Sequence, residues 1–252
     1  MKKLLIFGGT GDAPPLLRAL APYKLDITLC VATEYGRLTA PGNLAGLTVK
    51  TGRLNAAQIE ELLRSGGYAC VIDATHPYAF EVTKNIRAAL SKTGVPGFRL
   101  LRAESTCAGA VIVKTMADAA ICLNETADNV LLTTGSKELS AFTAVRDFEK
   151  RLYPRVLPTA SSIEACLIAG FPAEHIIAMQ GPFSKELNIA LMRQFQIKTL
   201  VTKDGGTTGG FPEKQEAAAA LGARLIVVSR PDDAGLSLED VVLGVTALLE
   251  GD

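Results

Sequence analysis

The sequence contains few of the side chains on which metal and nucleophilic chemistry depend. It has only two histidines, His76 and His175, and its five cysteines include no C-x-x-C pair. A metal site would therefore need carboxylates alone, and we expect no metal cofactor. The odd number and wide spacing of the cysteines favour buried free thiols over a disulfide framework.

Long apolar runs and basic clusters are also missing. No segment approaches the roughly 20 apolar residues that a membrane-spanning helix needs. The opening stretch MKKLLIFGG has an apolar run too short for a secretory signal and lacks a small-residue cleavage site. The formal net charge is zero, without any run of Lys and Arg, which argues against nucleic-acid binding. We expect a cytoplasmic protein without membrane or nucleic-acid partners; its oligomeric state stays open, and a monomer is compatible with the sequence.

Short apolar runs rich in β-branched residues alternate with helical patterns along the chain. The first series runs from LLIF (4–7) to AVIV (110–113), and the second from NVLLTTGS to RLIVVSRP. The helical patterns end in Gly, as helices with a left-handed cap do. This alternation predicts an α/β fold with mostly parallel sheets and helices on both faces. We expect two Rossmann-like domains, residues 1–126 and 127–252, divided at the polar segment NETADN, with an active-site cleft between them.

The first strand-to-helix connection, FGGTGDAPP at 7–15, is a candidate phosphate site. Its glycines allow backbone N–H groups to approach an anion closely. Asp12 is placed to cap the next helix, and Pro14 and Pro15 suit its first turn. The short-chain reductase pattern G-x-x-G-x-x-G fails at Pro14, so a plain capped turn stays the alternative. The candidate cofactor-binding residues here are Gly8, Gly9, Thr10, Gly11 and Asp12.

Two familiar nucleotide-enzyme signatures are absent from the sequence. None of the five tyrosines is followed by a lysine four residues later, which excludes short-chain dehydrogenase chemistry. The glycine-rich stretch KDGGTTGGFP does not fit G-x-x-x-x-G-K-[ST], which excludes a Walker A loop.

The densest polar cluster of the first half is VIDATHPYAF, at 71–80. Thr75, His76 and Tyr78 follow a buried strand, and in an open α/β sheet the ligand crevice lies at the carboxyl ends of strands. The usual pKa of histidine lies near neutrality, so His76 is a candidate proton donor as well as a ligand contact. A loop histidine bonded to the backbone is the alternative.

A similar arrangement recurs in LVTKDGGTTGG, at 200–210. Lys203 and Asp204 follow an apolar strand, and the glycines after them allow close approach of the backbone. Lys203 supplies positive charge, and Asp204 either orients the lysine or accepts a hydrogen bond. The alternative is a solvated loop with an incidental ion pair.

Taken in order, six segments resemble the precorrin-6A reductase family of cobalamin biosynthesis, including its cobalt-precorrin-6A branch. They are DATHPYA, LLTTGSKEL, RVLP, GPFSKELN, VTKDGG and VVSRP, spread over nearly the whole chain. The sequence departs from the family at its start, where Pro14 stands near a position that often holds Arg, so no role of that Arg is carried over. The resemblance implies two Rossmann-like domains and hydride transfer from NADPH or NADH to a macrocycle double bond, which gives precorrin-6B or its cobalt form.

The macrocycle carries many carboxylates, which call for Arg and Lys near strand ends. The candidate substrate-binding residues are Thr75, His76, Tyr78, Arg99, Arg102, Arg155, Lys185, Lys203, Asp204 and Gly205. Thr134, Gly135 and Ser136 of the TTGS segment join the candidate cofactor-binding residues. His76 and Lys203 are the catalytic candidates, with Tyr78, water and a substrate carboxyl as other proton sources.

The choice between NADPH and NADH stays open at the segment VATEYGRL, after the second strand. Thr33 and Arg37 suit a 2′-phosphate, whereas Glu34 suits a free 2′-hydroxyl. Two other functions are compatible with paired Rossmann-like domains. A nucleotide-sugar glycosyltransferase would act on a sugar nucleotide, and a binding protein of the periplasmic type would bind its ligand without consuming NAD(P)H.

Overall fold

The computed structural model describes residues 1–9, 11–38, 40–41, 44–101, 107–206, 209–230 and 233–250. The chain divides into two compact units. The first unit comprises residues 1–103 and 232–252, and the second comprises residues 104–231.

Strands and helices alternate throughout, as the sequence predicts. The strands are β1 (Lys3–Gly8), β2 (Asp26–Val31), β3 (Leu47–Thr51), β4 (Tyr68–Ala74), β5 (Gly97–Arg99), β6 (Val111–Val113), β7 (Asn129–Leu132), β8 (Leu152–Val156), β9 (Ile177–Ala178), β10 (Ile197–Lys203) and β11 (Arg224–Val228). The α-helices are α1 (Ala13–Leu20), α2 (Glu34–Leu38), α3 (Ala56–Gly66), α4 (Phe80–Thr93), α5 (Met116–Leu123), α6 (Phe148–Arg151), α7 (Ala160–Ile168), α8 (Lys185–Gln194), α9 (Phe211–Ala220) and α10 (Leu238–Glu250). Within the described ranges, 3₁₀ helices span Leu139–Ala144 and Ala173–His175.

The first unit contains a parallel sheet in the order β3-β2-β1-β4-β5. Side chains of β1 alternate between its two faces, and both faces are buried. Leu4 and Ile6 pack with α1 and α10, whereas Leu5 and Phe7 pack with α3 and α4. Helices therefore cover both faces of this sheet, as a parallel sheet requires.

The second unit contains a parallel sheet in the order β6-β11-β10-β7-β8-β9. One face packs against α5 and α7, and the other packs against α8 and α9. The α/β class with two mostly parallel, Rossmann-like sheets is thus confirmed.

Local sequence signals explain several helix ends. Asn55 forms a capping box with Gln58 at the start of α3, and Thr115 forms one with Asp118 at the start of α5. After α3 and α4 come left-handed glycines, Gly67 (φ 63°) and Gly94 (φ 71°). The predicted glycine caps are confirmed at both positions.

The predicted division of the chain between residues 126 and 127 differs from the division in the structure. The short strand β6 pairs with β11, in the register Val111↔Ile226, so residues 104–126 belong to the second unit. The last helix, α10, buries Val241 and Val245 in the core of the first unit. Both placements depend on pairing between distant segments, which the linear order of strands and helices does not reveal.

Cys30, Cys70 and Cys166 are buried free thiols, while Cys107 and Cys122 are half-buried and also free. Burial raises the pKa of Cys30 to about 11 and that of Cys70 to about 12, which keeps these thiols protonated and unreactive near neutral pH. Within the described ranges, no helix combines the length and apolar character that crossing a bilayer requires.

Candidate functional site

Each sheet reverses its strand order at one point, between β1 and β4 in the first unit and between β7 and β10 in the second. Gly8 lies beside Ala74 at the first point, and Leu132 lies beside Val201 at the second. In open α/β sheets, ligands bind outside the carboxyl ends of strands at such switch points. The predicted segments 8–12 and 203–205 begin at the last residues of β1 and β10, and the predicted segments 75–78 and 134–136 follow β4 and β7.

The loop after β1 has one glycine that the fold needs and one that it does not. A Cβ atom on Gly8 would lie 2.6 Å from the Cβ of Ala13, so Gly8 permits α1 to pack closely against β1. A Cβ atom on Gly9 would meet no atom of the described residues within 4 Å. Gly9 therefore leaves open space beside the backbone, where a ligand can approach. Thr10 lies outside the described residues.

The first turn of α1 offers few donors to an anion. Pro14 and Pro15 occupy it and have no N–H group, while the N–H of Leu16 donates to the carbonyl of Asp12 at 3.3 Å. Asp12 stands at the N-cap position and is buried, but its side chain makes no capping hydrogen bond. The predicted position of this residue is therefore correct, but the predicted side-chain cap is wrong.

Asp73, at the end of β4, organises the next loop. Its Oδ1 accepts hydrogen bonds from the backbone N–H of Thr75 at 3.0 Å and from the Thr75 hydroxyl at 2.6 Å. Arg99, at the end of β5, donates through Nη1 to the same Oδ1 at 3.0 Å and to the Thr75 carbonyl at 2.9 Å. The other carboxylate oxygen, Oδ2, is buried and has no hydrogen-bond partner within the described part of the chain.

The charge of Arg99 is matched by a second acid, Asp233, which precedes α10. Arg99 Nε donates to Asp233 Oδ2 at 2.9 Å, and the Arg87 guanidinium pairs with Asp233 Oδ1. Burial raises the pKa of Asp233, but the hydrogen bonds from Arg99 and Arg87 outweigh burial and hold it below its usual value. Arg99 is thus surrounded by two carboxylates, which favours a positioning role over contact with a substrate carboxylate. Arg102, the neighbouring candidate, lies outside the described residues.

His76 and Tyr78 lie together on the exposed side of this loop. The His76 side chain is exposed, Tyr78 is half-buried, and their ring centroids are 5.5 Å apart. The backbone N–H of Tyr78 donates to His76 Nδ1 at 3.4 Å. Because Nδ1 is the acceptor, the ring that makes this bond carries its proton on Nε2, which can donate to a ligand.

The loop after β7 presents a small hydroxyl cluster. Thr134 is buried, and its Oγ1 atom has no hydrogen-bond partner among the residues that the structure describes. Gly135 adopts φ 83°, and a Cβ there would have no neighbour within 4 Å in the part of the chain that the structure describes. The hydroxyl of Ser136 donates to that of Ser162 at 3.4 Å. An unpartnered buried hydroxyl beside open backbone is the kind of site that a polar ligand group satisfies.

The loop after β10 is fixed by ion pairs. Lys203 Nζ lies 2.5 Å from Glu138 Oε2, so its charge is balanced in part. Asp204 pairs with Arg230, whose Nε lies 3.0 Å from Asp204 Oδ2, and both side chains are buried. The N–H of Gly205 donates to the Lys203 carbonyl at 2.8 Å, which closes a tight turn.

Two buried cations lie on the α8 and α9 side of the second sheet. Arg155 of β8 donates to Asn188 Oδ1 at 2.8 Å and stacks over the Phe183 ring at 3.9 Å. Burial lowers the pKa of Arg155 to about 10. Lys214 of α9 donates to the Gly209 carbonyl at 2.8 Å; burial and then repulsion from Arg155 lower its pKa to about 8.

No ion pair forms at either buried cation within the described ranges; the hydrogen-bond partners are the neutral oxygens of Asn188 and Gly209. Lys185, a predicted substrate contact, is by contrast partly exposed at the start of α8 and pairs with Glu216 at 3.3 Å.

The sequence prediction missed Lys214, Arg230 and Asp233. Lys214 stands in an alanine-rich helix without any motif. Arg230 carried a signal, because it comes two residues after the buried strand β11. The partner of Arg99, Asp233, lies 134 residues away in the sequence, and no local pattern connects them.

Comparisons with known proteins all identify similarity to precorrin-6 reductases over nearly the full length of this chain. A model of the family described as precorrin-6x reductase CbiJ/CobK matches residues 3–248. The cobalt-precorrin-6A reductase of Priestia megaterium is 35% identical over 232 residues, which covers 90% of each chain. That of Salmonella typhimurium (strain LT2) is 38% identical over 232 residues, covering 90% of this chain and 87% of the relative. A solved structure of the precorrin-6A reductase CobK is 26% identical and covers 98% of both chains, with a TM-score of 0.79.

Proposed function

Because the chain belongs to the precorrin-6x reductase family CbiJ/CobK, whose members are oxidoreductases of cobalamin biosynthesis, we propose that it reduces a macrocycle double bond with hydride from NADPH or NADH. The substrate is cobalt-precorrin-6A or precorrin-6A, and the product is the corresponding 6B form. The observation that carries this proposal is the family match over residues 3–248. The names of the Priestia and Salmonella relatives favour the cobalt form.

The loops at the two switch points suit a nicotinamide cofactor. A bound reduced nicotinamide supplies the hydride, and the protein supplies position rather than an activated nucleophile. Gly9 leaves room for phosphate beside the backbone, and the Thr134 hydroxyl lacks a partner in the described structure. Gly8 to Asp12 and Thr134 to Ser136 stay our proposed cofactor contacts, with Thr10 named from the sequence alone. Since the prolines remove donors from α1, phosphate contact at the first loop rests on the backbone N–H groups before the helix.

Cations of the second unit suit the carboxylates of the macrocycle. Arg155 and Lys214 are buried without an ion-pair partner in the described ranges, and Lys203 lies at the switch point. A carboxylate beside Lys214 would favour its charged form and so reverse part of the effect of burial. We propose these three residues as the main carboxylate contacts, with Lys185 at the periphery.

His76 suits hydrogen bonding to a ligand better than proton transfer. A ring that accepts the Tyr78 N–H at Nδ1 carries its proton on Nε2, which is directed away from that bond. We therefore propose that His76 Nε2 donates to a carboxylate of the macrocycle and that Thr75 and Tyr78 flank this contact. Water or a substrate carboxyl then delivers the proton that accompanies the hydride.

The purified protein with cobalt-precorrin-6A tests this function. We expect loss of the near-ultraviolet absorbance of reduced nicotinamide, together with a macrocycle that has gained one hydride and one proton. Parallel reactions with precorrin-6A and with each nicotinamide establish the preferred pair. Absence of cofactor oxidation with either macrocycle, in a protein that binds both ligands, would reject the proposal. Turnover of a sugar nucleotide under the same conditions would support the glycosyltransferase alternative instead.

A further inference from the structure

The two sheets share a common strand order. From β3 to β5, the first sheet reads β3-β2-β1-β4-β5, and the second reads β9-β8-β7-β10-β11, with β6 added beside β11. Read in this way, β4 corresponds to β10 and β5 corresponds to β11. The sequence shows no repeat, so the correspondence is visible only in the strand order.

Equivalent places in the two sheets hold the same pair of residues. In the first unit, Asp73 lies at the end of β4 and Arg99 at the end of β5. In the second unit, Asp204 directly follows β10 and Arg230 follows β11 by two residues. Each aspartate therefore stands at a switch point, and each arginine comes from the end of the next strand.

The contacts of the two pairs match closely. The shortest carboxylate-to-guanidinium distance is 3.0 Å in each. Each aspartate Oδ1 accepts the backbone N–H two residues further on, from Thr75 at 3.0 Å and from Gly206 at 3.1 Å. Each aspartate carbonyl accepts from its arginine, at 3.2 Å in the first unit and 3.1 Å in the second. All four side chains are more than nine-tenths buried.

These contacts hold the backbone of the loops after β4 and β10, in addition to pairing opposite charges. A buried ion pair by itself adds little stability, since desolvation offsets its attraction. Here the planar guanidinium bonds both the carboxylate and a carbonyl, and the carboxylate in turn holds the N–H groups of the loop. The loop conformation after each strand therefore depends on the arginine.

We infer that Asp73–Arg99 and Asp204–Arg230 are a duplicated positioning device, in which each pair holds one switch-point loop in the conformation that presents His76 or Lys203 to the ligands. The arginines act through these loops and do not contact the ligands. This inference rests on the proposed function where it assigns ligand contact to His76 and Lys203. The anchoring of the loops does not depend on that assignment.

Double-mutant cycles in the second unit test the device. We expect Arg230→Met to reduce kcat/KM by about 10- to 100-fold, mainly through KM, because the loop is misplaced. In the Lys203→Ala background the same change should have little further effect, since the contact that the loop presents is already gone. Arg230→Lys keeps the charge but loses the planar fork, so we expect an intermediate KM. Additive effects of Arg230→Met and Lys203→Ala would overturn the inference.

Hydrogen exchange gives a readout that needs no activity. We expect Arg230→Met and Arg230→Lys to raise amide exchange at residues 203–206, without change in β7. Arg224→Met is the matched control, because Arg224 starts the same strand and pairs at the surface with Glu125 at 2.7 Å. Wild-type exchange and KM in Arg230→Lys would overturn the inference, even if Arg230→Met fails to fold. Raised exchange in a protein that lacks reductase activity would reject the proposed function and retain the anchoring.

The first unit provides an independent repeat of the test. We expect Arg99→Lys to raise amide exchange at Thr75, His76 and Tyr78. Its effect on kcat/KM should be non-additive with that of His76→Ala. Because the two devices lie in different units, the fold-changes in kcat/KM caused by Arg99→Lys and by Arg230→Lys should multiply in the double variant. Unchanged exchange at both loops would show that the pairs serve stability alone and would overturn the inference.

Discussion

Gly8 and Gly9 are adjacent in sequence, yet the structure gives them different roles. A Cβ on Gly8 clashes with Ala13, so we expect Gly8→Ala to lower the free energy of unfolding by about 1–3 kcal/mol. A Cβ on Gly9 meets open space among the described residues, so Gly9→Ala should keep wild-type stability while weakening cofactor binding by about tenfold. Thermal unfolding and fluorescence titration with NADPH and NADH measure the two effects. Unchanged cofactor affinity in Gly9→Ala would reduce the loop to a structural turn.

His76 offers a second test at the residue scale, because binding and proton donation have different kinetic signatures. We expect His76→Ala to raise KM for the macrocycle at nearly constant kcat, with little loss of stability since the side chain is exposed. His76→Gln keeps an N–H donor, so its KM should lie between that of the wild type and that of His76→Ala. Steady-state kinetics across pH decide the role. A fall in kcat of ~10²–10⁴-fold at saturating substrate, in a stable variant, would instead identify His76 as the proton donor.

Lys214 predicts a distinct pH dependence of stability. Burial, then repulsion from Arg155, lowers its pKa from 10.5 to about 8, although Glu213 partly opposes the shift. Between these pH values the unfolded chain binds a proton at this lysine that the folded chain does not, so stability should rise with pH. Relative to Lys214→Met, we expect the wild-type free energy of unfolding to increase by about 3 kcal/mol across this window. Denaturant unfolding of both proteins measures it, and a constant difference would contradict the burial of this charge.

At the scale of elements, the connection from β2 to α2 bears on cofactor choice. The conflicting cues found in the sequence form an ion pair, since Arg37 Nε lies 2.6 Å from Glu34 Oε2. The Arg37 hydrogen bond lowers the pKa of Glu34 below its usual value. We expect Glu34→Ala to free Arg37 and to shift preference towards NADPH, and Arg37→Ala to shift it towards NADH.

The ratio of kcat/KM values for the two nicotinamides measures that preference. Arg64→Ala is the control, because Arg64 also pairs with a glutamate on a helix surface of the same unit. If the ratio is the same in both α2 variants, the adenosine ribose of the cofactor does not bind near α2. The cofactor contacts would then be those that we propose in the second unit, at Thr134 to Ser136.

At the scale of the whole molecule, the last helix of the chain completes the core of the first unit. Val245 of α10 is fully buried there, so we expect Val245→Ala to lower the free energy of unfolding by about 2 kcal/mol. Amide exchange should increase in β1 and β4, which share this core. Leu243→Ala on the exposed side of the same helix should change stability by less than about 0.5 kcal/mol. Equal effects of the two changes would contradict the packing of α10 on the first sheet.

The two Asp–Arg pairs are also a property of the whole fold, because no single segment of the sequence contains both members of a pair. The sequence analysis named Arg99 and Asp204 as candidate contacts, but it did not pair them with Asp73 and Arg230, because these pairings depend on which strands are neighbours in the sheets. The sequence analysis predicted that the guanidinium of Arg99 binds a substrate carboxylate. In the structure, Asp73 and Asp233 already surround it.

The sequence by itself determined the alternation of strands and helices, the glycine caps at Gly67 and Gly94, and the polar character of the strand ends. These properties depend on hydrophobic period and turn chemistry within a few residues, which any short segment contains. Only the tertiary structure decided that β6 joins β11, that α10 returns to the first unit, and that Arg155 and Lys214 are buried cations. Such features depend on which distant segments pair and on how deeply a charge is buried, and neither is encoded in local pattern.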